Sequence, residues 1–141
     1  MLPALPRIKG SSDPFILSVA VLAIIAIFVF EAVGLCIAHL GHLHHQLEPE
    51  HIAQIGIVDV LLAPIDDGMT MSQAGMVRVI ETLRPSVVVP MHYNGPWLLE
   101  TFTTLMRERG YAVRTPEAPA VRLSRATLPR KTVLVLPAAR F

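Results

Sequence analysis

Ile27-Phe-Val-Phe-Glu-Ala-Val-Gly-Leu-Cys-Ile-Ala-His-Leu-Gly-His-Leu-His-His45 is the stretch that decides how this chain folds. Its first residues are β-branched and aromatic, Glu31-Ala-Val-Gly34 can turn the chain, and Leu35 to His39 carry it back. This predicts a β-hairpin over residues 25–40. The returning strand runs into a glycine loop that holds four of the six histidines, His39, His42, His44 and His45. Imidazole is the commonest metal ligand, and strand ends that open into loops are where folded domains concentrate chemistry. A further histidine, His92, ends a second β-branched run, Val87-Val-Val-Pro-Met-His-Tyr93. Two apolar strands that each finish in histidine predict one metal site assembled from distant parts of the chain.

Downstream of the histidine loop, strands and helices alternate. Residues 47–55 read as a short helix: Pro49 suits its first turn, Glu48 and Glu50 complement its dipole, and Gly56 stops it. His51, midway along, is expected on the solvated surface. Val58 to Pro64 reads as a buried strand in which Asp59 can accept backbone N–H bonds, and Asp66 and Asp67 before Gly68 as turn builders. A carboxylate in that loop would also suit a base or a replacement metal ligand. Thr70 or Ser72 caps the next helix, Met76, Val79, Ile80 and Leu83 recur at helical spacing, and Arg84-Pro85 ends it. Ser86 to Pro90 is a strand, and Trp97 to Arg109 a helix closed by Gly110, with Trp97, Leu98, Phe102 and Leu105 expected in the core. Tyr93 reads as a packing residue or a groove lining. Three short terminal strands are expected at 111–114, 120–123 and 132–136. The class is therefore α/β, a mixed sheet covered by helices.

Upstream, residues 1–14 hold Pro3, Pro6, Gly10 and Pro14 and read as an irregular lead-in, with the folded domain over 15–141. Residues 15–30 carry no charge, but sixteen residues fall short of the roughly 20 that cross a hydrocarbon core, and Glu31 blocks extension. Strands are therefore favoured there, and a membrane-anchoring helix over 15–30 is the alternative. The length of 141 residues suits one domain. The 12 basic and 11 acidic side chains leave a net charge of +1 with no basic stripe, which excludes a nucleic-acid partner. Cys36 is the single cysteine, forms no internal disulfide and fits a small core position, consistent with the reducing cytoplasm.

In their order, Ile27 to Gly41, Val58-Asp-Val-Leu-Leu-Ala-Pro64 and Leu83-Arg-Pro-Ser-Val-Val-Val-Pro-Met-His-Tyr93 resemble the C-terminal half of the metallo-β-lactamase fold. The resemblance runs from about Ile25 to about Leu136. It is strongest to the lactonase-like, zinc-dependent hydrolases of the ascorbate-6-phosphate lactonase type. It implies half of an αββα sandwich, a mixed sheet with helices on one face, and zinc-dependent hydrolysis of a small-molecule ester, lactone, phosphoester or amide. His92 matches the family's last metal-binding histidine. His42 stands where the family has an aspartate that bridges two metals, and His39 and His45 match histidines flanking it. The implied ligands are His42, His92, His39 and His45. A neutral imidazole cannot bridge two ions, so one zinc is expected rather than two.

The family's His-x-His-x-Asp-His loop has no counterpart, because no histidine precedes His39. The expectation is a truncated or degenerate hydrolase with an incomplete metal site and no assignable catalytic residue. Its alternatives are a non-catalytic metal-binding or interaction domain, whose open sheet face meets a second copy or a missing N-terminal half, and the membrane-anchored protein.

Overall fold

A computed structural model describes residues 15–22 and 25–137. One seven-stranded sheet runs through them in the order β1-β2-β3-β4-β5-β7-β6. The antiparallel part is β1 (Phe15–Leu22), β2 (Ile25–Ala32) and β3 (Leu35–His39). From β3 onward every pairing is parallel, through β4 (Val60–Pro64), β5 (Val87–Met91), β7 (Thr132–Leu134) and β6 (Ala112–Arg114). Helices α1 (Pro49–Ile55), α2 (Gln73–Leu83) and α3 (Pro96–Glu108) make the connections. The fold is thus a mixed α/β sheet with its helices on one face.

The expected hairpin forms β2 and β3, with Ala32 paired to Leu35 around a two-residue turn. Val33 (φ 49°) and Gly34 (φ 74°) both take positive φ, the geometry whose twist matches a hairpin. Glycine does this freely, whereas a β-branched valine is strained there. Residues 15–22 and 25–32 are strands, so the helix expected as the alternative over 15–30 does not form. No helix among the described residues is long and apolar enough to cross a membrane. Residues 1–14 of the expected lead-in lie outside the described residues.

The core lies between the helices and one sheet face. Ile27, Ala38, Leu61, Ala63, Val88 and Val133 meet Met76, Val77, Val79 and Ile80 of α2 and Phe102 and Met106 of α3 there. The strand residues alternate with Ile37, Val60, Leu62, Val87 and Val89, which point to the other face and join a smaller cluster with Leu123 and Leu128. Both strand faces are therefore apolar, as parallel strands usually are.

Three expectations need correction. His51 is buried: its Nδ1 accepts the Glu48 backbone N–H at 3.1 Å, closing the capping box that starts α1. Trp97 is 61% exposed, because it sits in the first turn of α3 on the side away from Leu98 and Phe102. Residues 120–123 form no strand and pass over the second cluster as loop. Of the two caps expected for α2, Ser72 is the one used: its hydroxyl accepts the Gly75 N–H, while Thr70 bonds to Asp66.

At the start of β4, Asp59 ties three segments together. Its Oδ2 accepts the Cys36 N–H at 2.8 Å, and Oδ1 accepts from Arg125 Nη1 at 3.0 Å. Arg125 also donates to the Gly34 carbonyl, so the loop before β7 is fastened to the hairpin turn. The Asp59 side chain is 8% exposed, so removing it strands a part-buried N–H. We expect Asp59→Ala to lower stability by about 1–3 kcal/mol. Urea unfolding checks this, and a loss below about 0.5 kcal/mol would mean the tie contributes nothing beyond an ordinary surface position.

Candidate functional site

Parallel pairing brings the C-terminal ends of β3, β4 and β5 to one edge, the position at which open α/β sheets bind ligands. The register places His39 opposite Leu62 and Pro64 opposite Met91. The loops leaving this edge are anchored by buried apolar side chains and backbone bonds. Leu40 and Leu43 are 0% and 1% exposed, the Leu40 N–H donates to the Leu62 carbonyl, and the Met71 N–H donates to the Leu43 carbonyl. With both neighbouring leucines pulled inward, His42 is left outward and exposed. On the other side, the Ile65 N–H bonds to the Met91 carbonyl, and His92 takes φ 58° as the chain leaves β5. A non-glycine residue in that region is uncommon and strained, and such residues cluster at functional sites.

His42 and His92 converge although 50 positions separate them. Their ring centroids lie 4.2 Å apart at an interplanar angle of 85°. That spacing suits two nitrogens on one ion with bonds near 2 Å. An edge-to-face pair does not aim both in-plane lone pairs at one point, so sharing an ion requires one ring to turn. Both side chains are exposed, and rotation of exposed side chains is fast.

The other histidines fall elsewhere. His39 ends β3, half-buried, and its Nδ1 accepts the Gly41 N–H at 3.0 Å. In the neutral ring this bond places the proton on Nε2 and leaves no lone pair there for a metal. His39 therefore acts on the loop that presents His42. Burial pushes its imidazole below the ordinary histidine value, and charge on His92 adds to this, against a hydrogen bond to its own backbone that works the other way. His44 and His45 are exposed, with their rings 6.5 Å apart, and neither is in ring contact with the pair.

Asp66, read from sequence as a turn residue, does more than build a turn. Its Oδ1 accepts from the Thr70 N–H at 3.0 Å and from the Thr70 hydroxyl, while its Oδ2 is buried without a partner. Burial raises the Asp66 pKa. Hydrogen bonds from Thr70 and the Gly68 N–H, with charge on His92, outweigh it and hold the carboxyl below its ordinary value. Asp66, Met69, His92, Tyr93 and Asn94 line a cleft of about 300 Å³ beside the imidazole pair. The signal for Asp66 was its place directly after a strand that ends at the ligand edge. Met69 and Asn94 carry no local signal.

Among the described residues, no three His, Cys, Asp or Glu side chains come together in a way that could hold one ion. A catalytic zinc keeps three protein ligands and a water. The described residues therefore do not fit a complete catalytic metal centre; they offer two converging imidazoles.

Comparison with known proteins agrees with this architecture. Residues 24–92 match the family model of the β-lactamase superfamily domain. The chain is 26% identical to a Thermotoga maritima protein assigned as a Zn-dependent hydrolase of the metallo-β-lactamase superfamily. The superposition has a TM-score of 0.73 and covers 96% of this chain and 70% of that one. The metallo-hydrolase Igni18 from Ignicoccus hospitalis shares the fold, with a TM-score of 0.58 at 20% identity over 78% of this chain and 52% of that one. The chain has the metallo-β-lactamase fold.

More narrowly, its homologues are the UPF0173 metal-dependent hydrolases. It is 37% identical to one from Archaeoglobus fulgidus over 67 residues, 48% of this chain and 29% of that protein. It is 30% identical to one from Staphylothermus marinus over 105 residues, 74% of this chain and 40% of that protein. The chain thus spans less than half the length of these curated relatives.

The burial of His39 has a measurable consequence. Its lowered folded-state pKa means that it contributes stability above the ordinary histidine value of 6.5, and this is lost as pH falls through the lower folded value. An NMR titration of the His39 ring should give a midpoint below 6.5. A midpoint at or above that value would show that the ring is more open to solvent than described.

Proposed function

We propose that this chain forms part of a zinc-dependent hydrolase of the metallo-β-lactamase superfamily, with His42 and His92 as its contribution to the metal site. The single observation that carries the reading is the 4.2 Å approach of the two imidazoles at the ligand-binding edge of the sheet. The names of its relatives support it: the UPF0173 proteins are called metal-dependent hydrolases, and the Thermotoga protein is assigned as Zn-dependent. A single ion suits the site better than two, since His42 replaces a bridging carboxylate with a group that has one lone pair to give. Side chains beyond the described residues, on this chain or on another polypeptide, complete the ligand set. The substrate is a small ester, lactone, phosphoester or amide. As the C-terminal half of the fold, the domain leaves the sheet face opposite its helices for the other half.

Two nitrogens are too few to fix the geometry that water activation needs. A second reading therefore has support of its own: the domain binds a metal without turning over substrate, which the absence of a third ligand among the described residues favours.

Calorimetric zinc titration of the purified chain, paired with hydrolysis of generic ester and lactone substrates, separates the two readings. We expect weak zinc binding that is lost in His42→Ala and in His92→Ala and retained in His45→Ala, with turnover near the uncatalysed rate. Robust zinc-dependent turnover abolished by His92→Ala would show that the pair suffices for catalysis. Zinc binding unchanged in both His42→Ala and His92→Ala would remove the site altogether.

A further inference from the structure

Met69 and Tyr93 line the cleft beside His92. Met69 is 70% exposed although its neighbours Thr70 and Met71 are buried. A fixed backbone imposes this. Asp66 accepts the Thr70 N–H at 3.0 Å, Asp67 accepts the Gln73 N–H at 2.9 Å, and the Met71 N–H donates to the Leu43 carbonyl at 3.0 Å. Buried Gln73 Nε2 donates to the Ile65 carbonyl at 2.9 Å and to the Leu98 carbonyl at 2.8 Å, which pins the loop to the first turn of α3.

The loop after β5 is set as closely. Tyr93 is half-buried and packs against the main core while it lines the cleft. Gly95 takes φ 111°, and a Cβ there would stand 3.3 Å from Cδ1 and Nε1 of Trp97, so the exposed indole folds back against the backbone one residue beyond Asn94. Exposed apolar side chains scattered singly need no explanation, but Met69 and Trp97 stand on two loops joined through Gln73 at one cleft. The carboxylate in the lining, Asp66, has Oδ1 engaged by Thr70 and Oδ2 buried, so recognition there falls to apolar and π contact. A thioether and aromatic edges favour a π ring over an aliphatic group of the same size, because sulfur–aromatic and edge-to-face contacts add to area burial.

We propose that this cleft holds an aromatic ring of the substrate, an uncharged phenyl-sized group seated on Met69 and Tyr93 with Trp97 at its rim. A volume of about 300 Å³ lies at the small end of ligand pockets and suits one ring. Because His92 lines the same cleft, a substituent on the ring lies beside the imidazole pair. The inference rests on the reading of this sheet edge as the hydrolytic one, and it names aryl esters and arylacyl esters or amides as the substrate class.

The test reads binding in metal-free protein, so it succeeds or fails independently of zinc binding and turnover. The full chain, ¹⁵N-labelled and treated with EDTA, is titrated with benzamide and separately with cyclohexanecarboxamide, which carries the same polar group on a non-aromatic ring. Trp97 is the chain's single tryptophan, so one indole N–H signal reports the rim. We expect benzamide to shift that signal and the amide signals of residues 69 and 92–94, and to bind about threefold or more tighter than cyclohexanecarboxamide. Met69→Ala, at an exposed position, should weaken benzamide about fivefold. Ile57→Ala, at another exposed apolar position before the far end of β4, should leave it unchanged.

Thermal unfolding confirms that both variants are folded before they are compared. Equal affinity for the two probes, no response to either, an unmoved Trp97 signal, or unchanged benzamide affinity in Met69→Ala would each overturn the proposal. If benzamide binds as expected while zinc binding is unchanged in both His42→Ala and His92→Ala, the ring site stands and its assignment to a zinc hydrolase's substrate falls.

Discussion

Everything at the candidate site depends on the parallel register of β3, β4 and β5. The rows Ile37–Val60–Val87 and Ala38–Leu61–Val88 fix how far each strand runs before it ends. They bring the residue after His39, the loop after Pro64 and the residue after Met91 to one edge. The alternation of the strands locks this register. Ala38, Leu61, Ala63 and Val88 must face the helices, and a one-residue slip would turn them all to the other face. The approach of His42 to His92 is a consequence of packing on the far side of the same strands.

The edge is arranged by anchoring the residues around the polar groups. Leu40 and Leu43 are buried on either side of His42, and the Ile65–Met91 backbone bond holds the chain just before His92 turns with positive φ. His39 spends its Nδ1 on the Gly41 N–H, and Asp66 spends one carboxylate oxygen on Thr70. These contacts stiffen the loops while leaving the exposed rings of His42 and His92 without hydrogen-bond partners among the described residues. Groups left that way on a rigid frame are suited to act on something outside the fold.

The shortage of metal ligands has a clear structural form. A centre that acidifies water needs at least three donors fixed around one point, and the described part of this chain brings two exposed rings in an edge-to-face pose. Its curated relatives are more than twice as long as the segment they share with it. The core lies between the sheet and the domain's own three helices.

Much was legible in the sequence because the signals were local. The hairpin followed from β-branched runs around Gly34, α1 from Pro49 and Gly56, α2 from the spacing of Met76, Val79, Ile80 and Leu83, and the two strand-ending histidines from their position after apolar runs. What the sequence left undecided was burial and direction. The burial of His51, the exposure of Trp97 and the loop at 120–123 each depend on which side of an element meets the sheet. The family resemblance already singled out His42 and His92 as the pair to converge, and the structure brings their rings together; what only packing supplies is the inward pull of Leu40 and Leu43 that leaves His42 exposed. Local propensity and periodicity set the elements. Which side of a helix or loop is buried, as at His51, Trp97 and 120–123, is set by packing between residues far apart in sequence, and only the tertiary structure decides that.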